Sequence, residues 1–478
     1  MSNPIRKTNF RIKFLGNSAG KIADNMFLLD ITRCKILLDC GLYEEAANDL
    51  SVYQVNKRPL QIKYNAIDYI ILSGYELENC GLLPRLYQQG CKARVCVPIG
   101  TKKLISDMLY KNLDQINEQV KIMNRRVNNK KACDYLPLYT EQDVRKAVTK
   151  IIEYRYGKCY ELQNGVKFTY YYSGYSVGTA QIRVELTVKN ETKTIGYTGN
   201  IGSTVSGNFV MPRENLPPSD VLIGEATKTS VSQTAIKPRA DIVAIKKTIE
   251  ETCKQKGNRV LLICPSVNTL QILLTMIYSM YKKNLHFKIP IIVDIPFGKS
   301  VNEYYNKLVQ KDSKLWERVK NWDNITWIDS PNQHRGQLGS SKAKIVITSI
   351  DSMDQERGKR WIEKFLQDKN SCVGFCGCYD SPFLSQLKDK KKFQQIKITK
   401  KMLKPLCKIN WHDSFDKHAD YDELIKYYTG IGTSQIFLVH ANPSLKKDFI
   451  KQLKNKLSWE GQQTEVLNPE VELVYYIQ

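Results

Sequence analysis

Imidazoles, thiolates and carboxylates build metal centres and nucleophilic sites, and here they are unevenly distributed. The five histidines are His286, His334, His412, His418 and His440, so the first 285 residues supply no imidazole. The 13 cysteines are scattered and form no CxxC pair. Cys376 and Cys378 flank a single glycine, poor spacing for structural zinc. Glu76 and Glu78 follow an apolar run in IILSGYELENC and offer only oxygen ligands, which suit a hard cation such as magnesium or manganese. There is no GxxxxGK[ST] loop, no GxSxG elbow and no GxGxxG turn after a strand. Nucleotide cradling and serine-hydrolase chemistry therefore lack support.

Charge points to a polyanionic partner. Lysine and arginine total 72 against 48 acidic residues, a formal charge of +24. Such a field attracts nucleic acid through long-range steering and counterion release. Nine lysines and one aspartate fall between Lys388 and Lys408. Lys388, Lys390, Lys391, Lys392, Lys397, Lys400 and Lys401 form the candidate RNA-contacting edge; the alternative is a solvated surface loop. At 478 residues and 42% hydrophobic, the chain can bury two medium cores, or one with a large insertion. The start MSNPIRKTNFRIKFLG has no apolar signal core, and runs such as IIVDIPF fall short of the ~20 residues that cross a bilayer. The expectation is a soluble protein, cytoplasmic or nuclear if eukaryotic, with reduced thiols and no membrane partner.

These residues must be carried by elements. FRIKFLG, NMFLLDI, CKILLDC and DYIILSG predict strands, being short, apolar and bounded by turn formers. Thr101 to Arg126 predicts a helix, and another starts near Thr140, an N-cap before acidic first-turn residues. FTYYYSG, QIRVELTV and TIGYTG return to strands. SGNFVMPRENLPPSD predicts a connection out of the first domain. Beyond it DVLIGEA, NRVLLIC, PIIVDI, NITWID and KIVITSI alternate with helical stretches, as in a parallel α/β domain. IFLVHANP, a helix over LKKDFIKQLKN and a strand-like VELVYYI close the chain.

The order of short motifs is more telling than any one of them. LLDCG, then IILSGYELENCGLLPRL, YYYSGYSVGTAQIRVEL and YTGNIG resemble, in turn, the LDxG turn, HxHxDH loop, Gly-His segment and SGDxG turn of metallo-β-lactamase-fold hydrolases. GEAT, KGNRVLLICPSVNTLQILL, FDKHADYDEL and IFLVHANP resemble the later motifs of the β-CASP subgroup of these RNA nucleases. The similarity runs over nearly the whole chain. It implies an α/β fold: a metallo-β-lactamase αββα sandwich from residues 1–205 and 400–478, with an inserted α/β β-CASP domain over 206–399. RNA is expected in the cleft between them.

The same resemblance implies a degenerate member. Active relatives hold two zinc ions that activate a bridging water. Carried over position by position, the HxHxDH loop is represented by Gly74, Glu76, Glu78 and Asn79. The Gly-His position is Tyr175, the bridging aspartate is Asn200, and His440 is kept. Gly74 has no side chain, Tyr175 is a phenol of pKa ~10, and Asn200 is neutral. No bound zinc or other cofactor is expected. Asp39, Glu225, His418 and His440 retain family identities; in the family the first is structural, the glutamate orients groups near the site, and the histidine of the HAD segment contacts the scissile phosphate. The chain is thus expected to be a catalytically inactive RNA-binding or scaffold subunit, partnered by an active β-CASP paralogue or a second copy. Two alternatives stay open: a hydrolase using Glu76, Glu78 and His440 with a non-zinc metal, and a protein-interaction module that does not bind RNA.

Overall fold

The computed structural model describes residues 10–16, 24–31, 33–44, 49–126, 135–204, 209–230, 238–254, 257–265, 267–295, 305, 308, 312–349, 355–377, 384, 387–388, 395–398, 402–415 and 417–477. Lys390, Lys391, Lys392, Lys400 and Lys401 lie outside the described residues, as does the side chain of Lys397. The chain divides into two compact units. One comprises Met1–Ser206, Met211–Thr234 and His418–Gln478; the other comprises Gly207–Val210 and Ala235–Lys417.

The first unit contains two seven-stranded mixed sheets. One runs Val474–Tyr476, Phe10–Phe14, Phe27–Ile31, Cys34–Leu38, Tyr69–Ile71, Arg94–Pro98, Ile151–Tyr154. The other runs Glu465–Leu467, Gln435–Ala441, Val221–Ala226, Glu191–Tyr197, Ala180–Val188, Val166–Tyr172, Tyr160–Glu161. Alternate residues of both form one buried cluster, from Phe10, Ile12 and Phe14 to Ile182, Val184 and Phe437. The Phe14 and Phe437 rings meet across the sheets at 5.2 Å, as do Phe27 and Tyr197. Each large apolar side chain so buried contributes about 1.5–3 kcal/mol. Leu37, Ile70, Val95 and Val97 point the other way and are buried too, on the face covered by helices such as Lys102–Arg126 and Glu141–Thr149. Helices Tyr421–Gly430 and Pro443–Trp459 cover the second sheet, through Tyr427, Tyr428, Phe449 and Leu453. The αββα sandwich expected from the sequence is therefore present. Thr140 caps its helix as predicted, its hydroxyl accepting from Asp143 N.

Met211–Asp220 stays with this unit. Glu214 N donates to Tyr172 O at 2.9 Å, and Gln181 Nε2 donates to Glu214 O at 2.6 Å.

The second unit is a parallel six-stranded sheet in the order Ile325–Trp327, Ile291–Asp294, Lys344–Ser349, Arg259–Cys264, Cys372–Cys376, Lys408–His412. Its central strands are buried along their whole length, as expected where helices cover both faces. At the end of Ile291–Asp294, Asp294 is fully buried. Its Oδ2 accepts from Trp361 Nε1 at 2.7 Å and meets His334 Nδ1 at 2.5 Å, and the Arg357 guanidinium lies 2.5 Å from Oδ1.

Candidate functional site

The carried-over residues converge at the carboxyl ends of parallel strands of both sheets in the first unit. Asp39 follows Cys34–Leu38, the 74–79 loop follows Tyr69–Ile71, and Asn200 follows Glu191–Tyr197. Glu225 and His440 sit near the ends of two adjacent parallel strands. Their pairing breaks there: Glu225 faces Val439, but Ala226 faces Ala441, so His440 is the extra residue of a bulge. Its φ of 52° is left-handed, an uncommon conformation for a residue with a side chain and one that a bulge position can adopt. The bulge turns its imidazole toward Glu78.

Close backbone approaches fix the surrounding loops. A Cβ on Gly202 would lie 2.0 Å from the carbonyl carbon of Gly174, and Gly202 N donates to Ser173 O at 2.8 Å. Gly202 also bridges to His418. These contacts bring the Tyr175 ring to 4.6 Å from the His418 ring. Gly224 of GEAT leaves room for Tyr428, whose hydroxyl donates to Glu225 O. Glu423 accepts from Thr204 N at 2.6 Å and Ser203 Oγ at 3.2 Å, tying the turn after Asn200 to the start of helix Tyr421–Gly430.

Between these loops runs one hydrogen-bonded chain. Asn200 Nδ2 donates to Glu78 Oε1 at 2.5 Å, and His440 Nε2 lies 3.1 Å from Glu78 Oε2. His440 Nδ1 is 3.1 Å from Thr227 Oγ1, whose own proton goes to Glu225 Oε2 at 2.5 Å. Glu225 Oε1 accepts from Ile201 N at 2.9 Å and meets His418 Nδ1 at 3.0 Å. With the Thr227 proton spent on Glu225, both His440 nitrogens must donate, one to a hydroxyl and one to a carboxylate. This pairing favours the protonated form of His440, between two acids. Burial opposes that charge, but Glu78 outweighs it and raises the His440 pKa. For Glu78 burial is likewise outweighed by His440, and its pKa falls. For Glu225 burial is outweighed by His418, and the carboxyl drops to about 2.

Asp39 forms a second knot. It accepts from Ser73 N and Ser73 Oγ at 2.6 Å, Tyr197 OH at 2.7 Å and Asn79 Nδ2 at 2.9 Å. All four donors are neutral, so burial prevails and lifts Asp39 to about 6. Asn79 is thereby committed to Asp39 and Ser73. Glu76, half-buried, is the N-cap residue of Leu77–Cys80. The contributions of Thr227, Ser73 and Tyr197 were not foreseen from sequence, although GEAT, IILSGYELENCGLLPRL and YTGNIG contain them.

The residues present do not fit a pair of zinc ions. Gly74 offers no ligand, and a Cβ there would lie 3.1 Å from Asn79 Oδ1. Asn200 and Asn79 turn amide protons, not lone pairs, toward the carboxylates they touch. His440, donating at both nitrogens, would have to give up a proton before it could ligate. Among the described residues, no group of three or more His, Cys, Asp or Glu side chains could hold a metal ion. Replacing Gly74 by histidine is accordingly expected to destabilise the fold by about 1–3 kcal/mol, through overpacking against Asn79 and Thr179. Zinc at saturating concentration should not restore the melting temperature; recovery would mean that the space is a usable ligand position.

Comparison with known families bears on this geometry. Residues 28–199 match the metallo-β-lactamase superfamily domain, 269–381 the Beta-Casp domain, and 405–462 the Zn-dependent metallo-hydrolase RNA specificity domain. The chain has the metallo-β-lactamase/β-CASP/RMMBL architecture. The chain is 21% identical over 438 residues to the transcription termination factor FttA of Methanococcus maripaludis, covering 87% of itself and 64% of that relative. It is 22% identical to the endoribonuclease YSH1 of Eremothecium gossypii, covering 91% and 55%. To the cleavage and polyadenylation specificity factor 73 of Drosophila melanogaster it is 24% identical, covering 90% and 59%. It thus spans between about half and two thirds of these relatives' length. The matched Beta-Casp region falls within the span 206–399 expected for the insertion, but residues 211–234 belong to the first compact unit and 400–417 to the second. Among the described residues, no helix is long and apolar enough to cross a membrane.

Proposed function

We propose that this chain is a non-cleaving β-CASP protein that binds RNA, as a binding or scaffold subunit beside an active paralogue or a second copy of itself. The observation that carries the reading is the chain Asn200–Glu78–His440–Thr227–Glu225–His418. It ties the surviving acids and imidazoles to one another and favours a protonated His440 at a position that corresponds to a metal ligand in the resembling nucleases. RNA as partner is supported by the charge of +24 and by relatives named for RNA cleavage and transcription termination.

The test joins three measurements on the purified chain. Metal analysis is expected to find no stoichiometric zinc. A labelled single-stranded RNA is expected to bind with affinity that falls steeply with added salt. The same RNA is expected to stay intact with zinc, magnesium or manganese. Two equivalents of tightly held zinc, or cleavage with any of these metals, overturns the non-cleaving reading. Absence of binding at low ionic strength overturns the RNA reading and leaves a protein-interaction module. Within this reading, reversal to glutamate of Lys388, Lys390, Lys391, Lys392, Lys397, Lys400 and Lys401 weakens binding. Unchanged affinity removes that edge.

A further inference from the structure

The last long helix, Pro443–Trp459, is anchored by Lys446, Phe449, Leu453 and Leu457, all buried. Lys447, Lys451 and Lys454 lie on its exposed side. At 3.6 residues per turn they fall within an arc of about 60° and a rise of roughly 10 Å. Some helical lysines of this chain are matched four residues on by an acid, as Lys103 is by Asp107, Lys246 by Glu250, Lys247 by Glu251 and, on this same helix, Lys456 by Glu460. Here Lys447 is followed four residues later by another lysine. Among the described residues, none of Lys447, Lys451 and Lys454 makes an ion pair. Like charges at this spacing repel within one Debye length and weaken the helix. A polyanion lying along the row removes that repulsion.

The flank beside the row ends in Trp459, an indole 82% exposed, with Lys456 Nζ 4.9 Å from its ring centre. An indole so open is rare on a water-facing helix. A row of unpaired cations with an exposed aromatic on its flank is a combination that tracks a single-stranded phosphate backbone and stacks a base.

We propose that the Lys447, Lys451, Lys454 and Trp459 side of this helix is a single-stranded RNA-binding surface, separate from the closed site at Glu78 and His440. This rests on the RNA-binding reading above and assigns part of that binding to a defined surface. Phosphates meet the three ammonium groups, and one base lies on the indole.

The experiment measures binding of a fluorescent oligouridylate of about 20 nucleotides, by anisotropy between about 50 and 200 mM salt. The triple variant Lys447→Gln/Lys451→Gln/Lys454→Gln is expected to bind at least tenfold more weakly. The slope of log affinity against log salt should fall by about 2, three single-strand contacts at about 0.7 each. Trp459→Ala is expected to lose roughly tenfold with the slope unchanged, and Trp459→Phe to regain most of it. Lys246→Gln/Lys247→Gln, which removes paired lysines, should keep the wild-type slope. If the wild type binds with steep salt dependence and the triple variant behaves identically, the surface is wrong while the RNA reading stands. If the wild type does not bind, both fall. Preference for phosphatidylserine vesicles over the RNA at equal anionic charge overturns the choice of partner. All four side chains are exposed, so unchanged circular dichroism and melting are expected in each variant.

Discussion

Glu225→Ala should lower the stability of the first unit by about 3–5 kcal/mol, because it leaves a buried imidazole and two backbone N–H groups without their acceptor. Hydrogen exchange on peptides covering Val221–Ala226 reads this unit separately. Glu225→Gln keeps the shape and removes the charge, so roughly 2 kcal/mol of the loss should remain at neutral pH. The pH dependence gives the more demanding check. The Glu225 pKa is lowered on folding from 4.5 to about 2, so its contribution is full above pH 4.5 and is lost as pH falls toward 2. The gap between wild type and Glu225→Gln should therefore narrow across that window. A gap that stays constant in acid would show that the carboxylate is not held by its partners. His440 has the opposite sign: its pKa is raised, so its contribution is full below 6.5 and fades as pH rises through the folded value.

The second large effect belongs to the other unit. Asp294→Ala is expected to destabilise the parallel sheet by about 3–5 kcal/mol, since Arg357 loses its counter-charge and Trp361 and His334 lose their acceptor. Adding Arg357→Met should recover part of the loss, because the uncompensated charge disappears with it. Exchange on peptides from Lys344–Ser349 should report both changes, while Val221–Ala226 stays protected. Additive losses in the double variant would mean that Arg357 and Asp294 act independently.

Much of this was legible in the sequence. The strands FRIKFLG, FTYYYSG, NRVLLIC and IFLVHANP declare themselves by apolar runs between turn residues. Other strands do not, four of the sheet strands among them. Arg94–Pro98 and Ile151–Tyr154 are short, CVGFC has glycine at its centre, and KINWH lies at the end of a lysine-rich run. Their strand character comes from parallel neighbours rather than local propensity. Motif order found Asp39, Glu78, Asn200, Glu225, His418 and His440, which the structure brings together. It could not show Thr227 relaying between Glu225 and His440, nor Tyr197 reaching Asp39. Those contacts join residues 213 and 158 positions apart, and nothing local encodes them.

The strand order also dictates a sequence of events during synthesis. Phe10–Phe14, among the first strands translated, is flanked in its sheet by Val474–Tyr476, and Glu78 waits for His440, 362 residues later. All six strands of the parallel sheet lie between residues 259 and 412, so that unit has its full set while the sandwich still lacks three of its strands. Until those strands emerge, the edges at Phe10–Phe14 and Val221–Ala226 remain open to mispairing, and a nascent chain paused before residue 435 is most exposed to aggregation and to chaperone capture.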